Sequence, residues 1–167
     1  MRMNYLSLCA ALALVAACSS TPEKKAEVAT GGTATTTTAP QPTKPTGPVP
    51  GSKEDFVVNV GDRVFFGYDK FDLTPEATAT LDKQAAWLKK YGQVTITIEG
   101  HADERGTREY NLALGERRAN AVKNYLTATG VDLARVQVIS YGKERPAVLG
   151  SNEAAWAQNR RGVTVIN

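Results

Sequence analysis

The chain has 167 residues, with 20 Lys and Arg against 17 Asp and Glu for a formal charge of +3. Setting aside residues 1–17, which read as an export signal, leaves 150, enough for one compact domain and a tail but too few for two full domains. The positive excess lies outside the candidate domain, because residues 54–167 hold 15 basic and 15 acidic side chains and so lack the basic footprint of a nucleic-acid binder. Both cysteines, Cys9 and Cys18, precede residue 19, which excludes a disulfide, a thiolate metal site or a cysteine nucleophile from that domain.

The export signal has one positive charge at Arg2, then an apolar run over residues 5–17 that ends in small residues. Its 13 residues are too few for a membrane span, which needs roughly 20. The stretch Val15-Ala16-Ala17-Cys18 looks like a lipobox, where small residues open the backbone to a lipoprotein signal peptidase just before an acylated Cys. Cys18 is therefore the expected lipidation site, and the alternative is an ordinary signal with a coincidental cysteine. Resemblance to bacterial lipoproteins implies three acyl chains on Cys18, and Ser19, in place of an Asp, implies the outer membrane as destination.

From residue 19 to residue 53 lie six of the eight prolines, four consecutive threonines from Thr35 to Thr38, and no apolar period. Such a segment has nothing to bury and is expected to be a disordered tether, so the domain plan is 1–17 signal, 18–53 acylated Cys18 and tether, 54–167 folded domain. Its 35 residues would reach about 115 Å at full stretch and roughly 35 Å as a flexible coil.

Beyond the tether the pattern becomes that of a mixed α/β domain. Residues 63–67 predict a first strand. Thr74-Pro75-Glu76 is a helix start, with an N-cap, a first-turn proline and an early carboxylate. Ala77, Leu81, Ala85 and Leu88 mark its buried face. The β-branched alternation of residues 94–100 predicts a strand. A second helix is expected over 107–128, closed by Gly130, followed by a strand at 136–141, a short helix near 153–158 and a last strand at 162–166. The order is βαβαβαβ, a two-layer α/β sandwich with helices packed on a mixed four-stranded sheet.

The loop from Gly100 to Gly106 leaves a strand end and enters a helix, the place where α/β sheets gather ligands. On that helix Leu114, Ala121, Val122 and Tyr125 form the expected inward face, and Arg118 falls among them. A buried guanidinium needs a partner, and Asp103 is the nearest candidate. Asn111, Leu114 and Arg118 share one face, so they could wall a site floored by Asp103. Two readings stay open. Asp103 and Arg118 form a structural ion pair, or they clamp a ligand carrying both signs, with Asp103 taking an amine and Arg118 a carboxylate.

The motifs Val64 to Asp72, Glu99-Gly100-His101-Ala102-Asp103-Glu104-Arg105-Gly106-Thr107, Tyr110-Asn111, Leu114 to Val122 and Ser140 to Pro146 resemble the C-terminal peptidoglycan-binding family of outer membrane protein A. With the lipobox and tether, the resemblance is to its lipidated members. It implies non-covalent binding of the peptidoglycan stem peptide, with the zwitterionic end of meso-diaminopimelate at Asp103 and Arg118. Asn111, Leu114, His101 and Ala102 would surround it, together with the loop carrying Tyr68, Asp69, Lys70 and Phe71. The resemblance also implies contacts with TolB and other Tol proteins in the system that constricts the outer membrane at division, a lipid-anchored position on the periplasmic face of that membrane, and no cofactor.

Rival classes are a metal site, a cell-wall hydrolase and a purely structural lipoprotein scaffold. His101 and Asp103 alone supply too few ligands for a transition metal, and His101 is expected to be a neutral loop residue making hydrogen bonds. Asp69, Asp72, Asp103 and Glu104 could offer an acid and a base for glycoside cleavage. The neighbouring Lys70, Arg105 and Arg118 would instead hold them ionised. Trp87 and Trp156 are expected on helix surfaces, Lys89-Lys90 at a solvated helix end, and Arg160-Arg161 as a helix-end charge pair.

Overall fold

The computed structural model describes residues 47–167. The lipobox, Cys18 and most of the expected tether lie outside the described residues. The last part of that expected tether does not stay apart from the fold. Ser52 caps a short helix, α1 (Lys53–Asp55), that continues as a wider π turn over Phe56–Val60 and plants Phe56 in the core. Asp55 fastens this segment by accepting the amide N–H of Gly51 and the indole N–H of Trp87, at 2.8 and 2.9 Å.

The remaining elements follow the expected order: β1 (Arg63–Phe65), α2 (Pro75–Lys90), β2 (Ile96–His101), α3 (Arg108–Ala128), β3 (Val136–Gly142), α4 (Glu153–Asn159) and β4 (Arg161–Ile166). Thr74 accepts from the Ala77 amide at the start of α2, and Thr107 from the Tyr110 amide at the start of α3, each satisfying an otherwise orphaned donor. Helix α2 stops at Lys90 and Tyr91 caps it, so Gly92 lies just beyond the end.

The sheet order is β1-β4-β2-β3, with β2 and β3 parallel and β4 antiparallel to both β1 and β2. Helix α3 is the crossover that a parallel β2–β3 pair requires. Ile96, Ile98 and Gly100 point to the helix layer with Gly162, Thr164 and Ile166 opposite them, and the core fills from α2 (Ala77, Leu81, Ala85, Leu88) and α3 (Ala119, Val122, Leu126). Ala121 and Tyr125, expected to face inward, are only half-buried; Gly115, Ala119 and Leu126 share that face with Leu114, Arg118 and Val122 instead. Trp87 is likewise buried, its ring edge-on to Phe56 at 5.0 Å. Among the described residues no helix is long and apolar enough to cross a membrane.

Candidate functional site

Strand β2 ends at His101, and the chain turns through residues 102–107 into α3. At this junction opens a cavity of about 170 Å³ lined by Tyr68, Asp69, Asp103, Arg105, Gly106, Tyr110, Asn111, Leu114 and Arg118. Six of the expected site residues therefore meet around one space: Tyr68, Asp69, Asp103, Asn111, Leu114 and Arg118. Arg105, Gly106 and Tyr110 complete it and were not expected there.

Arg118 is fully buried, yet it does not bond Asp103. Its guanidinium donates to three main-chain carbonyls instead, Nε to Lys70 at 2.8 Å, Nη1 to His101 at 2.8 Å and Nη2 to Gly67 at 3.1 Å. The expected ion pair is corrected accordingly. The loop after β1 curls back far enough to supply two of these carbonyls because Asp69 takes a left-handed φ of 54°, while the Lys70 amide closes on Gly67. Tyr110 donates its hydroxyl to Asp69 and so holds the loop against α3. Carbonyls carry no full charge to offset burial, and desolvation lowers the Arg118 pKa to about 10, with Asp103 the main opposing influence. It remains a cation at neutral pH. Three of its five N–H groups are committed to these carbonyls, and the residue lines the cavity.

Asp103 is held by other bases. Its Oδ1 accepts the Arg105 amide N–H at 3.1 Å and Arg105 Nε at 3.3 Å, while Oδ2 accepts Arg105 Nη2 at 2.5 Å and Arg160 Nη1 at 3.4 Å. Burial disfavours the charge, but the Arg105 hydrogen bonds outweigh it and hold the carboxyl below its ordinary range. The Arg105 guanidinium lies between the rings of Tyr68 and Trp156, at 4.1 and 4.0 Å from their centroids. Asn111 is buried on the next turn and donates to the Arg105 carbonyl at 2.7 Å, fixing the loop.

Four expected site residues stand elsewhere. His101 contributes its carbonyl to Arg118, but its ring is buried beside Tyr141 and both ring nitrogens lack a hydrogen-bond partner, contrary to the expectation of a bonding loop residue. Ala102 faces a separate cavity of about 210 Å³ with Glu104, Lys143 and Leu149. Lys70 serves through its main chain alone, and Phe71 lies on a shallow groove beside Arg117. Arg160 and Arg161, expected as a helix-end charge pair, do follow the end of α4 but are buried. Arg160 bonds Glu153 at 2.6 Å and the Phe66 carbonyl besides Asp103, and Arg161 donates to the carbonyls of Asn159 and Arg145. Among the described residues no three His, Cys, Asp or Glu side chains are grouped to hold a metal ion.

Residues 65–160, from the end of β1 through α4, match the family described as OmpA. The chain belongs to the OmpA family. The peptidoglycan-associated lipoprotein of Brucella melitensis is 58% identical over 118 residues, covering 71% of this chain and 70% of that protein. The protein of the same name in Mesorhizobium japonicum is 46% identical over 159 residues, covering 94% and 88%. The crystal structure of the peptidoglycan-associated lipoprotein from Burkholderia pseudomallei superposes with a TM-score of 0.62 at 45% identity, covering 64% of this chain and 90% of that one. The OmpA-family segment contains every residue that lines the cavity between α3 and the loop after β1.

Proposed function

We propose that this cavity binds peptidoglycan non-covalently through the zwitterionic end of the stem peptide's meso-diaminopimelate. The observation that carries the reading is that a buried carboxylate and a buried guanidinium line one open space without neutralising each other. A ligand ammonium suits Asp103. A ligand carboxylate suits Arg118, whose plane is already fixed by three carbonyls, so little ordering cost is left to binding. The names of the relatives support the same ligand class.

On this reading acylated Cys18 anchors the protein in the outer membrane, the segment that follows it forms the tether, and the folded domain holds the cell wall. A stable lipid anchor joined by a linker to a reversible wall contact keeps the domain near the wall through effective concentration. TolB and other Tol proteins are the proposed partners, in envelope integrity and constriction at division. Hydrolysis has no comparable support. A general acid needs a raised pKa, whereas Asp103 is held low by its two arginines.

The test is co-sedimentation of the purified protein with diaminopimelate-type and lysine-type peptidoglycan, since lysine lacks the second carboxylate. Pelleting with the first, weaker pelleting with the second, and no muropeptide release is the expected result. Equal pelleting with both would remove the zwitterion reading, and released muropeptides would replace binding by catalysis.

A further inference from the structure

Every acceptor position on Asp103 is filled. A carboxylate offers roughly four lone-pair sites. Three are taken by Arg105, through its amide, Nε and Nη2, and the fourth by Arg160. A ligand ammonium can therefore reach Asp103 only by displacing one of these donors. The Arg105 amide is part of the turn that closes the loop, and the Arg160 side chain is only 7% exposed and is also bound to Glu153 and the Phe66 carbonyl. The Arg105 side chain is the movable one, at 31% exposure and lining the cavity. Its resting place is defined by Tyr68 and Trp156, which sandwich the guanidinium plane.

We propose that Arg105 sets the affinity of this cavity: its guanidinium stands in the ammonium position on Asp103, and a ligand binds by replacing it with an ammonium of its own. The inference rests on the reading of the cavity as a zwitterion site. It makes Arg105 an internal competitor. Affinity is held down by the ion pair and the two aromatic contacts that must be broken, which suits an attachment that has to be released and remade. It also has a consequence of opposite sign for a ligand that has the carboxylate and lacks the ammonium. Such a ligand leaves Arg105 in place and benefits from it, because Arg105 neutralises Asp103 close to the incoming carboxylate.

The experiment is calorimetric titration of the full-length protein in detergent and its Arg105→Gln variant with two peptides. One is a stem peptide containing meso-diaminopimelate; the other carries 2-aminopimelate, which keeps the distal carboxylate and lacks the distal ammonium. Arg105→Gln is expected to bind the diaminopimelate peptide roughly tenfold more tightly, the scale of one charge-assisted hydrogen bond no longer displaced, and the 2-aminopimelate peptide more weakly. A structural role for Arg105 would weaken both together. Wild-type protein that ignores the diaminopimelate peptide would overturn the zwitterion site itself. Wild-type binding with unchanged or weaker binding in the variant overturns only the competitor role. Should Arg105→Gln not fold by circular dichroism, Trp156→Ala carries the test, because it removes one wall of the sandwich and leaves the ion pair. A few-fold gain for the diaminopimelate peptide is expected there, and its absence overturns the proposal.

Discussion

Gly100 on β2 and Gly115 on α3 lie backbone to backbone: a Cβ built on Gly100 would sit 1.8 Å from the Gly115 carbonyl oxygen. No side chain fits there, and the contact sets how deeply α3 settles on the sheet. Arg118 is one turn further along α3 and His101 one residue further along β2, so the same contact brings the Arg118 guanidinium to the His101 carbonyl. Gly100→Ala must push helix and strand apart against main-chain atoms. It is expected to cost more than about 3 kcal/mol and to lower Tm by roughly 10 °C. Gly92→Ala, with nothing within 4 Å of its Cβ position, is the control and should stay within about 0.5 kcal/mol of wild type. Equal melting temperatures for the two variants would show that the close approach does not limit packing.

Arg118→Ala is expected to be a stability mutant as much as a binding mutant. It leaves the carbonyls of His101 and Lys70 without the guanidinium donor, leaves Gly67 only the Lys70 amide, and releases the loop after β1, at a cost of about 3 kcal/mol or more. Asp103→Asn keeps the shape, but its amide nitrogen cannot accept the two N–H donors that meet one carboxylate oxygen, so it should lose about 2 kcal/mol while abolishing peptidoglycan pelleting. Urea denaturation of both proteins checks the order. An Arg118→Ala protein as stable as wild type would mean that the three-carbonyl clamp contributes nothing.

The elements legible in the sequence are those with a local physical cause. Thr74-Pro75 starts α2 because a cap and a proline are both favourable there, and β-branched alternation marks β2. Asn111, Leu114 and Arg118 gather on one wall because helical periodicity puts them there. What could not be read depends on partners far away along the chain. Two of the three carbonyls that hold Arg118 come from a loop 48 to 51 residues earlier, and Phe56 is drawn into the core by Trp87, with no repeating pattern around it to announce a helix. The Asp103 pairing was missed for the opposite reason. Arg105 stands two residues away and closes on the carboxylate in a tight turn, where spacing on a helix face carries no information. That Asp-x-Arg spacing in a loop is the signal that could have found Arg105.

Beneath the site, Gln84 joins α2 to the sheet. Its amide donates to the Gly61 carbonyl at 2.8 Å, and its oxygen accepts the Thr164 hydroxyl at 2.9 Å, with both side chains buried. Thr164→Val keeps the shape and strands the Gln84 oxygen, which should cost about 1–3 kcal/mol. Gln84→Met on the Thr164→Val background should cost less than the sum of the single changes, because the orphaned oxygen is removed with it. Strict additivity in a double-mutant cycle would mean that the hydrogen bond is not formed.

The single histidine of the chain gives stability a pH dependence whose sign is fixed by its burial. Desolvation is the main cause that lowers the His101 pKa to about 4, and the positive charges of Arg161, Arg145 and Arg63 act in the same direction. The Arg145 main chain, near the ring but outside hydrogen-bond geometry, opposes them, and the Glu99 carboxylate lies 3.5 Å from Nε2. An unfolded histidine titrates near 6.5, so between about pH 4 and 6.5 the unfolded chain takes up a proton that the folded one refuses. The stabilisation is complete above about pH 6.5 and is lost as pH falls toward 4, by about 3 kcal/mol over the whole window. Carboxylates held low, such as Asp103 and Asp55, lose their contributions only at lower pH, which leaves the range from about 5 to 6.5 to His101 alone. Urea midpoints measured at pH 7.5, 6.0 and 5.0 should fall for the wild type and stay level for His101→Gln. The same fall in both proteins would place the titration on another group and leave His101 protonated without penalty.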